Sequence, residues 1–301
     1  MEGRIITDTT DFFSIDHGDT IQIGEKSYRV TGHERELRFG MEEPKFWVKK
    51  AVDIDTGEKK IIKLSFLETF ETHFGNAKVT CFRNPEKEAK VLELVDGHPY
   101  FMQGEAFKDK KGNIIRILDI VHGRNFLQYM HYLDVDYNVF FSKLLPDILK
   151  KIVKAFEAIR FLHHREFRHG DIRNDHLIVE KDTGNYVWID FDYDYQTREN
   201  PFGLDVFGMG NILINAVGKG FHTIEVIRND PVTYGNVQRD LNREDFSILD
   251  RVRFINLRKL FPEIPKPLND ILMHFSIGSN VYYESAEEII EDLNRCLYTV
   301  Y

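Results

Sequence analysis

The chain has 301 residues, of which 42% are hydrophobic and 30% charged, and its formal net charge is −9 at pH 7. This length and apolar content favour a globular protein with a substantial buried core over a disordered chain. The acidic balance argues against a general nucleic-acid-binding protein, and no apolar run reaches membrane-spanning length.

Two further features bear on the compartment. The N-terminal sequence MEGRIITDTT lacks the apolar core of a secretory signal. The two cysteines, Cys81 and Cys296, lie far apart and provide neither a disulfide framework nor a zinc motif. These features predict a cytoplasmic protein that has neither membrane nor nucleic acid as a partner.

The first predicted elements are strands. Residues 12–30 (FFSIDHGDTIQIGEKSYRV) alternate like a hairpin with a Gly-Asp turn, and residues 1–27 are interpreted as a β extension that packs on the next domain. Residues 46–66 (FWVKKAVDIDTGEKKIIKLSF) predict two strands joined by an Asp-Thr-Gly turn. The roughly twenty residues that follow form an unusually long connection without a readable purpose.

Helices are predicted further along the chain. Residues 85–99 (PEKEAKVLELVDGHP) have an apolar stripe that ends at a glycine, and residues 114–129 predict a strand and a connecting segment. A longer amphipathic helix is predicted over residues 145–163, from apolar residues at three- and four-residue steps: Ile148, Ile152, Val153, Phe156, Ile159 and Leu162.

The most informative motifs come after this helix. The loop HGDIRNDHLIV, residues 169–179, is followed by the strand and acidic turn VWIDFD, residues 187–192. Residues 203–213 (GLDVFGMGNIL) and 281–293 (VYYESAEEIIEDL) predict two further helix starts. Each string is weak evidence alone, but their order and spacing together are informative.

Over about residues 28–292 these motifs resemble the protein-kinase-like superfamily, in particular compact, atypical, bacterial-type Ser/Thr kinases with a short activation segment. The resemblance implies an α+β bilobal fold with a β-rich small lobe and a mostly helical large lobe. The small lobe is expected over residues 28–121 and the large lobe over residues 122–301.

The resemblance also implies ATP-dependent transfer of the γ-phosphoryl group to a hydroxyl. In the matching positions, Glu88 holds Lys63 against the ATP phosphates, and Asp190 binds Mg²⁺. Asp171 orients the acceptor hydroxyl and takes its proton, and Arg173 neutralises the phosphoryl group in transit.

Other positions acquire roles from the same resemblance. Leu118 is expected at the back of the nucleotide pocket, and residues 119–121, from Asp119 to Val121, as the hinge that binds adenine. Asp205 is expected to anchor the loop that carries Asp171 through its backbone.

Several positions depart from the family pattern. The expected phosphate lid, residues 30–44, has only Gly32 and Gly40, with Arg35 or Arg38 as candidate sources of charge. His176 replaces a metal-binding asparagine. A direct ligand, a structural residue, a one-magnesium site and a site that accepts Mn²⁺ all stay open as interpretations.

The turn after Asp190 departs as well, since Asp192 replaces a glycine and, with Asp194, adds carboxylates near the expected metal site. No APE-like triplet follows, and Tyr283 occupies the position of its arginine partner. Gly170 replaces an arginine that receives a loop phosphate in many kinases. A minimal activation segment without a phosphorylation switch is therefore predicted.

Three functions remain as hypotheses. The leading one is a phosphotransferase acting on serine or threonine of a protein. The second is a pseudokinase that serves as a nucleotide- or partner-binding module. The third is a small-molecule kinase of the aminoglycoside- or choline-kinase type. The acceptor and the oligomeric state stay open.

Overall fold

The computed structural model describes residues 3–38, 41–74, 77–197 and 199–300. The chain divides into two compact units: unit 1 contains Met1–Thr69 and Phe82–Val121, and unit 2 contains Phe70–Cys81 and His122–Tyr301. None of the helices in the described ranges combines the length and the apolar content needed to cross a lipid bilayer.

The strands are, in chain order, β1 (Ile5–Ile6), β2 (Thr20–Ile23), β3 (Lys26–Arg38), β4 (Met41–Asp53), β5 (Lys59–Lys63), β6 (Thr69–Phe74), β7 (Ala77–Arg83), β8 (Gly104–Lys108), β9 (Ile114–Asp119), β10 (Gly123–Asn125), β11 (Leu177–Glu180), β12 (Tyr186–Trp188) and β13 (Tyr193–Gln196).

The α-helices are α1 (Pro85–Leu94), α2 (Phe126–His131), α3 (Tyr137–Val139), α4 (Leu145–His163), α5 (Gly203–Gly218), α6 (Ile224–Asn229), α7 (Pro231–Tyr234), α8 (Lys266–Met273) and α9 (Ala286–Val300). A π-helical turn, Phe140–Leu144, joins α3 to α4, and short 3-10 turns occur at Phe12–Ser14, Val237–Asp240, Arg243–Asp245 and Leu257–Lys259.

Unit 1 is a seven-stranded sheet in the order β1-β2-β3-β4-β5-β9-β8. One of its faces buries an apolar core that includes Ile21, Val30, Ile62 and Ile115. Helix α1 packs against β8 and β9. The alternation of apolar residues predicted β4 and β5 because a half-covered sheet requires one buried face.

The N-terminal hairpin differs from its prediction. Its turn is at residues 24–25, since Ile23 pairs with Lys26, and not at the Gly-Asp pair of residues 18–19. Phe12 lies in a 3-10 turn and not in a strand. The position of the turn has a local reason, since Gly24 adopts a left-handed backbone with φ of 60°, as a two-residue hairpin loop requires. The ammonium of Lys49 donates to the carbonyl oxygens of Phe12 at 2.9 Å and Ile15 at 2.6 Å.

The described residues of the predicted lid region belong to the antiparallel strands β3 and β4, with bulges near Gly32 and His33. Charges on its strands pair across it, as between Lys45 and Glu36 at 3.1 Å and between Lys50 and Glu34 at 3.2 Å. The candidate cation Arg35 is exposed and pairs with Glu42 at 3.4 Å. Gly40 and the side chain of Arg38 lie outside the described parts of the chain.

Unit 2 is built around α4, which packs against α5, α9 and β12. All six apolar positions predicted for its buried stripe are buried. Helix α5 is almost entirely buried, so it lacks the polar face of a surface helix. Strands β10, β11 and β12 form a small sheet.

The long connection between β5 and α1 contributes the hairpin of β6 and β7. Its residues 70–81 belong to unit 2, where β7 lies between β6 and β13 in a three-stranded sheet. Val79 and Cys81 pack with Tyr195 in a small core, and Phe70 meets Tyr193 edge to face with ring centroids 5.7 Å apart. This segment therefore holds the strand that follows Asp192.

Candidate functional site

Unit 1 contains a buried cluster of three charges. Lys63, the last residue of β5, donates to Glu88 Oε1 at 2.8 Å, and Arg116 on β9 donates from Nε to Glu88 Oε2 at 2.9 Å. The exposed fractions are 6% for Lys63, 0% for Glu88 and 1% for Arg116. Two cations therefore share one carboxylate in a place that water does not reach.

The local sequence explains this arrangement. Lys63 and Arg116 are direct cross-strand partners, so their side chains share one face of the sheet. Glu88 reaches them from the first turn of α1, where Pro85 follows the N-cap residue Asn84, whose side chain accepts from the backbone of Lys87. The structure contains the Lys63–Glu88 contact that the sequence register predicted, whereas Arg116 was missed because it interrupts an apolar strand.

Unit 2 contains the acidic loop, residues 169–176. Fully buried Asp205 accepts from the backbone nitrogens of His169 at 2.7 Å and Gly170 at 2.9 Å. It also accepts from His163 Nε2 at 3.0 Å. Burial, the largest single influence, raises the pKa of Asp205, but the hydrogen bond from His163, the nearby imidazoles of His163 and His169 and the backbone N–H of Gly170 together outweigh it, so the pKa lies below its ordinary value. Asp205 thus anchors the loop as a carboxylate.

Three side chains of this loop and the following turn come together. His176 Nδ1 lies 2.9 Å from the carbonyl oxygen of Asp171, so this nitrogen is the donor, and 3.4 Å from Asp171 Oδ2. His176 Nε2 lies 3.5 Å from Asp190 Oδ2. His176 therefore stands between the two carboxylates that the motif pattern selected.

The β11–β12 hairpin produces this proximity. Leu177 pairs with Trp188, and the backbone nitrogen of Ile189 donates to the carbonyl oxygen of His176 at 3.0 Å. Residues just before β11 and just after β12 consequently lie side by side. Asp190 adopts a left-handed backbone, with φ of 63°. Such a conformation costs a non-glycine residue about 1–3 kcal/mol and is common at functional sites.

The electrostatics of the loop differ from residue to residue. Burial raises the pKa of Asp171, and its interactions with His176 and Arg173 oppose this rise only in part. Arg173 holds Asp175 through two contacts, Nε to Oδ1 at 2.9 Å and Nη2 to Oδ2 at 2.6 Å. The pair is largely exposed, so solvent screens it, although its two parallel contacts have the stronger bidentate geometry.

The two acids beyond Asp190 have different surroundings. Asp192 is 1% exposed. Asp194 pairs with Arg168, Nε to Oδ1 at 3.1 Å, and the same arginine donates to the carbonyl oxygen of Tyr195 at 2.8 Å. Among the described residues no group of three or more His, Cys, Asp or Glu side chains has the spacing of a metal site. A metal here would need ligands from a substrate as well.

The expected nucleotide-pocket residues lie at the end of unit 1. Leu118 is buried on β9. Asp119 is exposed and accepts from Lys60 at 2.7 Å, and Val121 is the last residue of the unit. Lys60 also pairs with Glu58 at 2.7 Å, so this lysine is engaged near the turn and not at the buried cluster.

The decisive observation is the combination of these parts in one chain order. A β-sheet unit with a Lys–Glu pair between a strand and α1 precedes a helical unit, in which an anchored HGD loop and an IDFD turn flank a short hairpin. The chain has a protein-kinase-like fold. This kinase-like chain departs from the family pattern at His176, Asp192 and the lid hairpin.

Comparison of the chain with models of known protein families gives no match. A curated relative, "Putative ribosomal protein S6 kinase alpha-2" of Caenorhabditis elegans, is 22% identical over 143 residues, which is 48% of this chain and 16% of the relative.

Among solved structures, "Crystal structure of Rad53 1-466 in complex with AMP-PNP" matches 81% of this chain and 60% of that chain, with a TM-score of 0.47 and 14% identity. The chain thus spans less than two thirds of either protein.

Proposed function

We propose that this chain is an ATP- and metal-dependent phosphotransferase whose acceptor is a hydroxyl group, namely serine or threonine of a protein. The observation that carries the proposal is the placement of His176 between the carboxylates of Asp171 and Asp190. Two carboxylates face this one imidazole, and one of them is on a left-handed backbone, a combination that clusters at functional sites.

We assign to Asp171 the role of binding the acceptor hydroxyl group. Its carboxylate has a raised pKa because of burial, which makes it a stronger base than an exposed aspartate. Its main task is to orient the hydroxyl for in-line attack, since positioning and charge stabilisation account for most of the catalysis of phosphoryl transfer.

Asp190 and His176 are assigned the divalent ion. A ligating histidine usually donates its other ring N–H to a carbonyl, and His176 Nδ1 makes this contact with Asp171. Its Nε2 then faces Asp190 Oδ2 at 3.5 Å, close to the separation of about 3 Å between adjacent ligands of one octahedral ion. An oxygen–nitrogen pair fits Mg²⁺ completed by phosphate oxygens, and it favours Mn²⁺ more than two carboxylates would.

Lys63 is assigned the ATP phosphates. The cluster of Lys63, Arg116 and Glu88 holds the Lys63 ammonium at a buried position on the sheet, and a fixed ammonium binds phosphate as a point charge. We assign adenine binding to Leu118 and residues 119–121. Arg173 is assigned to stabilise the transferred phosphoryl group, once its guanidinium has exchanged the carboxylate of Asp175 for phosphate oxygens. The printed name of the curated relative, a ribosomal protein kinase, supports a protein acceptor.

The first experiment is thermal unfolding with ATP alone, ATP with Mg²⁺ and ATP with Mn²⁺. A ligand at about a hundred times its dissociation constant stabilises by roughly 2.7 kcal/mol, which is a readily measured shift. We expect a metal-dependent shift that is lost in Asp190→Asn and kept in Asp182→Asn, an exposed carboxylate in the β11–β12 turn.

The second experiment measures transfer of labelled γ-phosphate to protein serine or threonine. Asp171→Asn should abolish the transfer while ATP still produces its thermal shift. An Asp171→Asn rate equal to that of the parent would refute the assignment. Transfer to a metabolite in place of protein would move the assignment of the acceptor to a small molecule.

A nucleotide-binding module without catalysis is the second candidate. It is favoured by one observation: Arg173 is already occupied by Asp175 on both of its contacting nitrogens. If the chain is such a module, the metal-dependent thermal shift should be present without phosphoryl transfer. The Arg173→Gln variant should then bind ATP as the parent does.

A further inference from the structure

Unit 2 contains a groove of about 980 Å³ on the side of α5 that faces the β13 segment. We call it the acidic groove. Its lining residues are Val79, Tyr195, Thr197, Glu199, Asn200, Pro201, Gly203, Leu204, Phe207, Ile248, Leu249, Tyr282, Tyr283, Glu284, Ser285 and Glu288. Its volume is at the upper end of the usual range of binding pockets.

The walls of the acidic groove come from segments that are distant in sequence. Val79 belongs to the hairpin inserted between β5 and α1, and Tyr195 belongs to β13, with which this hairpin forms a sheet. The remaining walls are the start of α5, the segment of Ile248 and Leu249, and the residues just before α9. The insertion thus acquires a role: it completes this groove.

The charge of the acidic groove is one-sided. Glu199, Glu284 and Glu288 line it, and the described lining residues include no lysine, arginine or histidine. Within the described parts of the chain, none of these three carboxylates forms an ion pair. The position that the family gives to an arginine is Tyr283, which donates instead to Asp292 at 2.8 Å. The chain therefore supplies no described cation here.

Aromatic rings accompany these carboxylates. Tyr195, Phe207 and Tyr282 line the groove, and the rings of Phe207 and Tyr282 lie 6.2 Å apart. Tyr195 already packs under a guanidinium, since Arg168 lies 4.3 Å from its ring centroid. A guanidinium stacks on aromatic faces and pairs with carboxylates through two parallel hydrogen bonds, whereas an ammonium acts as a point charge.

We propose that the acidic groove binds an arginine-containing segment of the protein substrate, with the arginine against the three glutamates and neighbouring apolar side chains against Leu204, Ile248 and Leu249. The inference rests on the proposed function in one respect only, namely that the bound segment belongs to the phosphoryl acceptor. Charge complementarity selects this occupant over an acidic or a purely apolar peptide.

The test uses the full chain and short fluorescent peptides that differ at one position, which is arginine, lysine or citrulline, each next to leucines and a serine. Anisotropy titrations should rank arginine above lysine, and lysine above citrulline, which keeps the shape of arginine without its charge. The triple variant Glu199→Gln/Glu284→Gln/Glu288→Gln should weaken binding of the arginine peptide by about fivefold or more.

The matched control is Glu93→Gln/Glu225→Gln/Glu263→Gln, which removes the same charge from exposed positions outside the groove and should leave binding unchanged. Equal loss in both triple variants, or equal binding of arginine and citrulline peptides, would overturn the proposal. Arg198, outside the described residues, is the rival occupant. If the arginine peptide binds only to Arg198→Gln, the chain fills its own groove and the proposal fails.

The titrations need no catalysis, so a failure of the proposed function remains distinguishable. Peptide binding without phosphoryl transfer would contradict the phosphotransferase and leave the groove assignment intact. If phosphoryl transfer to a protein takes place at a rate that does not depend on the groove glutamates, the phosphotransferase proposal would stand and the groove assignment would fail.

Discussion

Replacing Glu88 by glutamine is the sharpest test of the buried cluster in unit 1. Glu88 accepts from Lys63 through one oxygen and from Arg116 through the other. A glutamine has one oxygen and one NH₂ group, so it satisfies one donor and presents a second donor to the other. The variant therefore removes the carboxylate that Lys63 and Arg116 share.

The expected magnitude follows from this count. Breaking a buried ion pair on one side costs about 3–5 kcal/mol, because a charge is left in a place from which water is excluded. Arg116→Met leaves the balanced pair of Lys63 and Glu88, so its cost should be smaller than that of Glu88→Gln. The double variant should lose about 1–3 kcal/mol less than the sum of the two single losses.

The assay is urea denaturation of the four proteins, with Glu93→Gln as control. Glu93 is an exposed glutamate on the same helix, and its replacement should change stability by less than about 0.5 kcal/mol. A loss in Glu88→Gln no greater than that in Arg116→Met, or a double variant that is simply additive, would refute the shared-carboxylate interpretation.

Three further predictions concern Lys49, Asp205 and Gly208. Burial lowers the pKa of Lys49 to about 8, below its ordinary 10.5, so the unfolded chain binds more protons than the folded chain between these pH values. In urea titrations, the free energy of unfolding of the parent should therefore rise by up to about 3 kcal/mol relative to that of Lys49→Met from pH 8 to 10.5. A difference that does not change with pH would contradict this prediction. Asp205→Asn replaces a fully buried carboxylate that accepts three N–H donors. Calorimetry should show a loss of about 3–5 kcal/mol in the free energy of unfolding, and phosphoryl transfer should be lost as well. A variant that keeps both its stability and its phosphoryl transfer would exclude Asp205 as the loop anchor. A Cβ at Gly208 would lie 2.6 Å from Ile172 Cβ in the acidic loop, so Gly208→Ala should lower the free energy of unfolding by about 1–3 kcal/mol. Gly203→Ala is the control that should be tolerated, because the atom nearest to its Cβ would lie at 3.6 Å.

Local patterns were sufficient for much of this fold. Helix α4 has the same bounds as its predicted range, because a long helix with one buried stripe leaves a strong periodic signal. The strands β4 and β5 were equally readable from alternation around a turn. Short motifs also selected Lys63 and Glu88, which do form an ion pair.

Other features required the tertiary structure. Arg116 and Lys49 sit at buried positions where pattern reasoning expects apolar side chains, and their partners include Glu88, 28 residues from Arg116, and the carbonyl oxygen of Phe12, 37 residues from Lys49. The Lys49 ammonium also binds the carbonyl oxygen of Phe12, which lies in a 3-10 turn and not in the predicted strand. The hairpin of β6 and β7 had no readable purpose, because its partner β13 lies over a hundred residues further along the chain.

By itself, the sequence determined the residue types of the acidic loop, the amphipathic helices and the chain order of a kinase-like protein, since these depend on neighbours a few positions apart. Only the tertiary structure decided that His176 stands between Asp171 and Asp190, that one carboxylate serves two cations, and that an insertion walls an acidic groove. These features depend on contacts between segments distant in sequence, whose pairing is selected by burial and charge compensation over the whole unit.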